Sequence, residues 1–185
     1  LQSGNTAVQA PSMTDRTLLI VWHSRTGASQ QLARAAARGA RASVHQDGLS
    51  ATAVRVECVH ASRADEQRML AAAAYLFVAP ENLASLSGVM KEFFDRNYYA
   101  VIDRIEGRPY AVIISAGSDG HGAARQVERI ATGWRLRAIA EPMIVNTDAQ
   151  TAEAILAPKH LPPAHLEAAA ELGAALAAGL AMGIF

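Results

Sequence analysis

The sequence predicts an α/β protein built on a three-layer, doubly wound sheet of five parallel strands. Three observations carry that expectation. Apolar, β-rich runs recur at similar intervals. Several of them are apolar on both faces, as strands covered by helices on each side must be. The segments between them repeat apolar residues with the 3.6-residue period of amphipathic helices. Strands alternating with helices of this length imply right-handed crossovers.

The four stronger runs are Thr17 to Trp22, Ala53 to Val59, Ala74 to Ala79 and Tyr110 to Ala116. A fifth, weaker run from Ala138 to Val145 contains Pro142, which marks an edge strand or a late break, because proline cannot donate to a ladder. A helix from Ser29 places Leu32, Ala35, Ala36 and Gly39 on one face and Arg34, Arg38 and Arg41 outside it. The helix from Ser87 aligns Val89, Met90, Phe93 and Phe94 with Asn97 or Tyr98, and Lys91 and Asp95 form an exposed i,i+4 pair. From Gly122 the apolar set is Ala123, Val127, Ile130, Ala131 and Trp134; from about Ala164 it is Leu166, Ala169, Gly173, Leu176 and Leu180. Trp22 and Trp134 read as core residues. The irregular segment Asn146 to Pro163 is longer than most connections. A short helix is expected over Thr151 to Leu156, with the segment placed to cover a ligand or a partner surface.

Composition bounds the function. Of 185 residues, 51% are hydrophobic and 18% charged, which suits one substantial core. Seventeen basic residues balance seventeen acidic ones, so no global field draws the chain to nucleic acid or an anionic membrane. Cys58 is the only cysteine, which excludes an intrachain disulfide and fits a reducing cytoplasm. The longest uncharged apolar stretch, Leu172 to Phe185, is shorter than the roughly 20 residues a bilayer requires. Residues 1–12 read as a tag or disordered arm without a secretory pattern, Met13 as the native start, and 13–185 as one domain. The small-residue face of Ala168 to Ala178 permits close helix packing, compatible with a homodimer or tetramer.

Ligands of open α/β sheets bind beyond the carboxyl ends of the strands. Three loops leave that end with unusual chemistry: Ser24 to Ser29, Pro80 to Ser87 and Gly117 to Gly122. The first offers the hydroxyls of Ser24, Thr26 and Ser29, a close backbone approach at Gly27 and a helix N-terminus, which together suit a phosphate monoester. Plain N-capping accounts for the same residues equally well. Arg25 either adds charge or points to solvent. No Gly-Lys-Ser/Thr follows the glycine and no G-x-G-x-x-G is present, which excludes a triphosphate loop and a dinucleotide fingerprint. His121 reads as a proton donor or an exposed residue, and His23 as a packing residue beside the first loop. No metal cluster, no Ser-His-Asp set and no catalytic acid or base is assigned.

The stretch HSRTGASQQLA resembles the FMN-phosphate loop of flavodoxins and flavodoxin-like quinone reductases through Ser24, Thr26, Gly27, Ser29, Leu32 and Ala33, with Ala28 where Asn or His is usual. PENLASLSGVMKEFFDR is similar to the loop and helix after the third strand of NAD(P)H-dependent FMN reductases through Pro80, Glu81, Ser85, Gly88, Lys91 and Asp95. ISAGSDGHGAARQVERI resembles the loop of these proteins that lines the flavin ring. The resemblance implies strand order 2-1-3-4-5 and an FMN held by three groups of residues. These are Ser24, Arg25, Thr26, Gly27, Ala28 and Ser29; Pro80, Glu81, Asn82, Leu83, Ala84 and Ser85; and Ala116, Gly117, Ser118, Asp119 and Gly120. It further implies hydride transfer from NAD(P)H through FMN to a quinone-like or other small acceptor. Two alternatives accompany it: an electron carrier without a nicotinamide site, and a binding module that has lost FMN. The family often has an aromatic residue in the second loop, where this chain has Asn82 and Leu83. Missing stacking weakens binding by up to about tenfold.

Overall fold

The structure, a computed structural model, describes residues 16–46 and 54–185. The expected arm over residues 1–12, the start at Met13 and the first residue of the second expected strand, Ala53, lie outside the described residues.

Three strands, β1 (Arg16–Trp22), β3 (Ala74–Asn82) and β5 (Pro109–Ala116), form the centre of a parallel sheet, with β2 (Val54–His60) beyond β1. Alternation of side chains sorts the core onto two faces. Leu18 and Ile20 point to one face, with Leu76, Val78 and Ile113; Leu19 and Val21 point to the other, with Tyr75, Phe77 and Ile114. On the aromatic face lie α3 (Gly88–Val101) and α4 (His121–Gly133), with Phe93, Phe94 and Trp134 packed around Phe77. Trp134 is wholly buried as expected, whereas Trp22 is half-buried, with its ring edge-on to His60 at 4.9 Å.

The opposite face is covered by α1 (Ala28–Gln46) and the C-terminal helix Pro163–Met182. They meet through reciprocal glycines: a Cβ on Gly39 would overlap the Ala170 carbonyl, and one on Gly173 the Ala36 carbonyl. The small-residue face that suggested a homodimer or tetramer is thus occupied within the chain, with Ala169, Gly173 and Ala177 buried.

Two details differ from expectation. The sheet has seven strands, because β4 (Ser85–Leu86) folds back antiparallel on β3, and the fifth expected strand divides into β6 (Arg137–Ala138) and β7 (Met143–Asn146). Both halves pair with β5, so the order of the long strands is retained, and the break falls at Pro142, which has no amide to donate. The connection from β2 to β3 also holds an unexpected helix, α2 (Glu66–Ala71). Asp65 caps its start by accepting the Arg68 amide at 3.0 Å, and Arg108 donates to the Leu70 and Ala72 carbonyls at its end. Lys91 and Asp95 form the expected exposed pair at 2.5 Å.

Candidate functional site

β1 ends at Trp22, and His23 continues its line by donating its amide to the Val78 carbonyl at 3.0 Å. The chain then turns: the Ser24 hydroxyl accepts the Gly27 amide at 3.0 Å, and Gly27 adopts φ +97°, a conformation that disfavours side chains. The first helical bond of α1 runs from the Gln31 amide to the Gly27 carbonyl. The amides of Ala28, Ser29 and Gln30 therefore have no partner within the helix, and they stand at its positive end.

β3 ends in a two-residue hairpin, with Asn82 paired to Ser85 and both central residues, Leu83 and Ala84, at positive φ (+53° and +56°). This is the primed geometry that suits hairpins and favours Asn-Gly. Holding leucine and alanine in it costs roughly 1–3 kcal/mol each. The hairpin is fastened to α4. Glu81 accepts the Gly120 amide at 2.8 Å through Oε1 and the Ala123 amide at 2.9 Å through Oε2. Gln126 accepts the Leu86 amide at 2.7 Å and donates to the Ser85 hydroxyl at 3.0 Å.

A third wall follows β5, and a strap formed by residues 147–161 supplies a fourth. Thr147 donates its amide to the Ala116 carbonyl at 2.9 Å, and a Cβ at Gly117 would stand 2.7 Å from the Ala149 oxygen, closer than a side chain permits. The strap carries α5 (Ala152–Leu156), the short helix expected there, with Lys159 Nζ donating to the carbonyls of Ala154, Ile155 and Ala157 at its end. Its far end is tied to the first loop: the Lys159 amide donates to the Thr26 carbonyl at 2.7 Å, and the Gln31 side chain donates to the Lys159 carbonyl at 2.7 Å.

These segments enclose a cavity of about 380 Å³, within the range of about 300–1,000 Å³ usual for small-molecule sites. Of the expected residues it brings together Arg25, Thr26 and Ala28; Pro80 to Ala84; and Ala116, Gly117 and Ser118. Ser24, Gly27, Ser29, Ser85, Asp119 and Gly120 do not line it. Ser29 differs most from its expected role, because its wholly buried hydroxyl lies 2.7 Å from that of Ser115. Ser24, Ser85 and Gly120 shape the loops through the bonds above. His121 is exposed on the first turn of α4. Sequence reasoning missed Ser115, Thr147, Ala149, Ile155, Leu156 and Lys159 as lining residues. The available signal was the length of the Asn146 to Pro163 connection, which marked the segment as a cover without naming its lining residues.

Arg25 and Lys159 are the cations of the lining, and the Glu81 carboxylate is offset by two amides at the start of α4. Beside the cavity, His23 Nδ1 lies 2.8 Å from the buried Ser87 hydroxyl. Burial, followed by the nearby charges of His60 and Arg25, holds the His23 imidazole below its ordinary value. Among the described residues no group of three His, Cys, Asp or Glu is placed to hold a metal, and no helix is long and apolar enough to cross a membrane.

A parallel sheet of this order with a cavity at its carboxyl edge defines the flavodoxin-like class. Solved structures agree in fold. A flavodoxin from the domain Archaea superposes with TM-score 0.67 at 15% identity, covering 89% of this chain and 98% of its own. The flavodoxin, WrbA-like protein from Agrobacterium tumefaciens gives 0.65 at 15%, covering 91% and 99%. Oxidised flavodoxin 1 from Bacillus cereus gives 0.65 at 16%, covering 86% and 96%. No curated protein matches the chain significantly. The family model described as NADPH-dependent FMN reductase matches residues 19–150, and the chain belongs to that family. Membership makes it an FMN-dependent oxidoreductase.

Proposed function

We propose that the cavity holds FMN with its phosphate at the start of α1 and its ring between the hairpin and the 116–118 backbone, and that the protein oxidises NAD(P)H and reduces a quinone-like or other small acceptor. The observation that carries the reading is the convergence of all three strand-end loops on one cavity that has a helix N-terminus at one side. The residues present fit the group. Amides of Ala28, Ser29 and Gln30, the Thr26 side chain and the Arg25 and Lys159 charges suit a dianion, whereas the Pro80, Leu83, Ala84 and Ala116 lining suits a flat ring. Three or four charge-assisted hydrogen bonds of roughly 1.5–3 kcal/mol each reach the order of micromolar affinity, about 8 kcal/mol, before association entropy is subtracted.

Held by these residues, FMN would supply the redox chemistry between a nicotinamide donor and the acceptor. The chain's own task is binding and orientation. Gly27 turns the first-loop amides toward the phosphate, and the Lys159–Thr26 bond keeps that loop closed under the strap. Glu81 fixes the hairpin relative to α4, so the second and third loops keep one spacing across the ring. The reading calls for no side-chain acid or base, because the redox chemistry belongs to the cofactor. A cytoplasmic setting, expected from the lone cysteine, belongs to the same proposal.

Stopped-flow mixing of FMN-loaded protein with NADPH and with NADH tests the reaction. Direct bleaching of the flavin band by either donor is expected. Reduction only through an added partner reductase would indicate an electron carrier instead.

A further inference from the structure

The strap of residues 147–161 is held by polar bonds and has almost no core of its own. Ala149 is its one buried residue, and α5 buries none. Segments with so few buried apolar contacts open locally at low cost. Lys159 Nζ makes its bonds inside the strap, to the carbonyls of Ala154, Ile155 and Ala157, so α5 and the turn after it form one unit. A short seam joins that unit to the first loop. The Lys159 amide donates to the Thr26 carbonyl at 2.7 Å. Gln31, on the first turn of α1, bonds in both senses: its Nε2 donates to the Lys159 carbonyl at 2.7 Å, and its Oε1 accepts the Leu161 amide at 3.3 Å. Nε2 also donates to the Gly27 carbonyl at 3.1 Å, which fixes the side chain over the loop that it closes. Gln31 does not line the cavity, so its bonds serve the seam and not the ligand.

We propose that Gln31 latches the strap over the phosphate end of the cavity and that the latch makes FMN a resident cofactor, exchanged more slowly than the protein turns over. The molecule reduced and released in each turnover is then a separate small acceptor, not FMN. The inference rests on the FMN reading above and adds how the group is retained. The seam lies against Thr26, beside the α1 amides that suit the phosphate, so that end of the ligand enters and leaves while the strap is lifted. At micromolar affinity, association at about 10⁷ M⁻¹ s⁻¹ implies release at about 10 s⁻¹, the order of an ordinary turnover number. An unlatched site would lose FMN about as often as it turned over. Each net hydrogen bond shifts an equilibrium about fivefold, so the three bonds of the seam leave it open about 1% of the time and slow exchange about 100-fold. A latch that makes no contact with the ligand changes entry and departure alike and leaves Kd in place, whereas a binding contact changes release and Kd together.

The test is stopped-flow fluorescence of the parent and of Gln31→Met, which keeps the length and helix preference of the side chain without its bonds. FMN association is read by quenching, and release by the return of free-flavin fluorescence when loaded protein is diluted. Hydrogen exchange at the Lys159 amide of the ligand-free protein is the second readout, because the substitution leaves that amide's own bond to Thr26 untouched. Gln31→Met is expected to raise both rates about tenfold with Kd within about threefold of the parent. It should speed exchange at Lys159 while the amides of β1 and β3 stay protected. Release from the parent should be at least about tenfold slower than its NAD(P)H turnover with a quinone. If Gln31→Met leaves both rates within about twofold of the parent, or raises release and Kd together, the latch is overturned and the FMN reading stands. Release from the parent as fast as its turnover overturns the resident cofactor. A parent protein that binds no FMN overturns both readings.

Discussion

The carboxylate of Glu81, near the end of β3, accepts the backbone amide of Gly120, just before α4, at 2.8 Å, and its second oxygen takes the Ala123 amide at 2.9 Å. One side chain thereby caps a helix 39 residues away and sets the distance between two walls of the cavity. Replacing a capping side chain by alanine costs about 0.5–2 kcal/mol. Glu81→Ala is expected to lower Tm by roughly 1–8 °C for a chain of this size and to weaken FMN binding. Glu81→Gln, which retains an acceptor oxygen, should lose less. Melts and flavin titrations of the two variants check this.

Gly39 and Gly173 let α1 and the C-terminal helix approach until backbone meets backbone. Gly39→Ala or Gly173→Ala must push the helices apart, and overpacking of this kind costs about 1–3 kcal/mol. Urea denaturation should show a lower midpoint for either variant with an unchanged slope.

His23 predicts a pH dependence. Its folded value lies below the ordinary 6.5, chiefly because the ring is buried, so the unfolded chain takes up the proton more readily. The stabilising contribution is complete above about pH 6.5 and is lost as pH falls through that value toward the folded one. His23→Asn should flatten the stability curve between about pH 7 and 5 relative to the parent. An identical loss in both proteins would mean that another group is responsible.

Lys159 closes α5 with its ammonium and the first loop with its amide. Lys159→Met removes the three side-chain bonds and keeps the backbone one. Faster proteolysis within residues 147–161, with FMN affinity reduced about three- to tenfold through the lost charge, is expected. Limited digestion followed by mass spectrometry locates the cleavage.

The layers and the long strands were legible because each obeys a period that burial enforces, whereas the strand order followed from the resemblance alone. Leu18 to Val21 and Ala111 to Ile114 are apolar on both faces, and Leu32, Ala35 and Ala36 recur on one. The missed α2 has only six residues, and its stability comes from Asp65 and from Arg108, which is distant in sequence. The candidate site was legible at its loops, where Gly27 and Gly117 mark breaks in regular structure, although β3 runs on through Pro80 to Asn82. Its fourth wall was legible only as an overlong connection. Long-range bonds such as Gln31 to Lys159 leave no local pattern. Ser29 illustrates the limit: a hydroxyl in the right loop position turns inward to Ser115 once β5 lies beside it.

The central claim, that FMN occupies the cavity where the three loops meet, is tested most directly by titrating freshly purified protein with FMN and following flavin fluorescence and the visible spectrum. The account predicts saturable quenching at one FMN per chain with a Kd on the order of micromolar, and bleaching of the bound flavin on addition of NADPH. Flavin fluorescence and absorbance that stay those of free FMN up to about 100-fold above that concentration would contradict it.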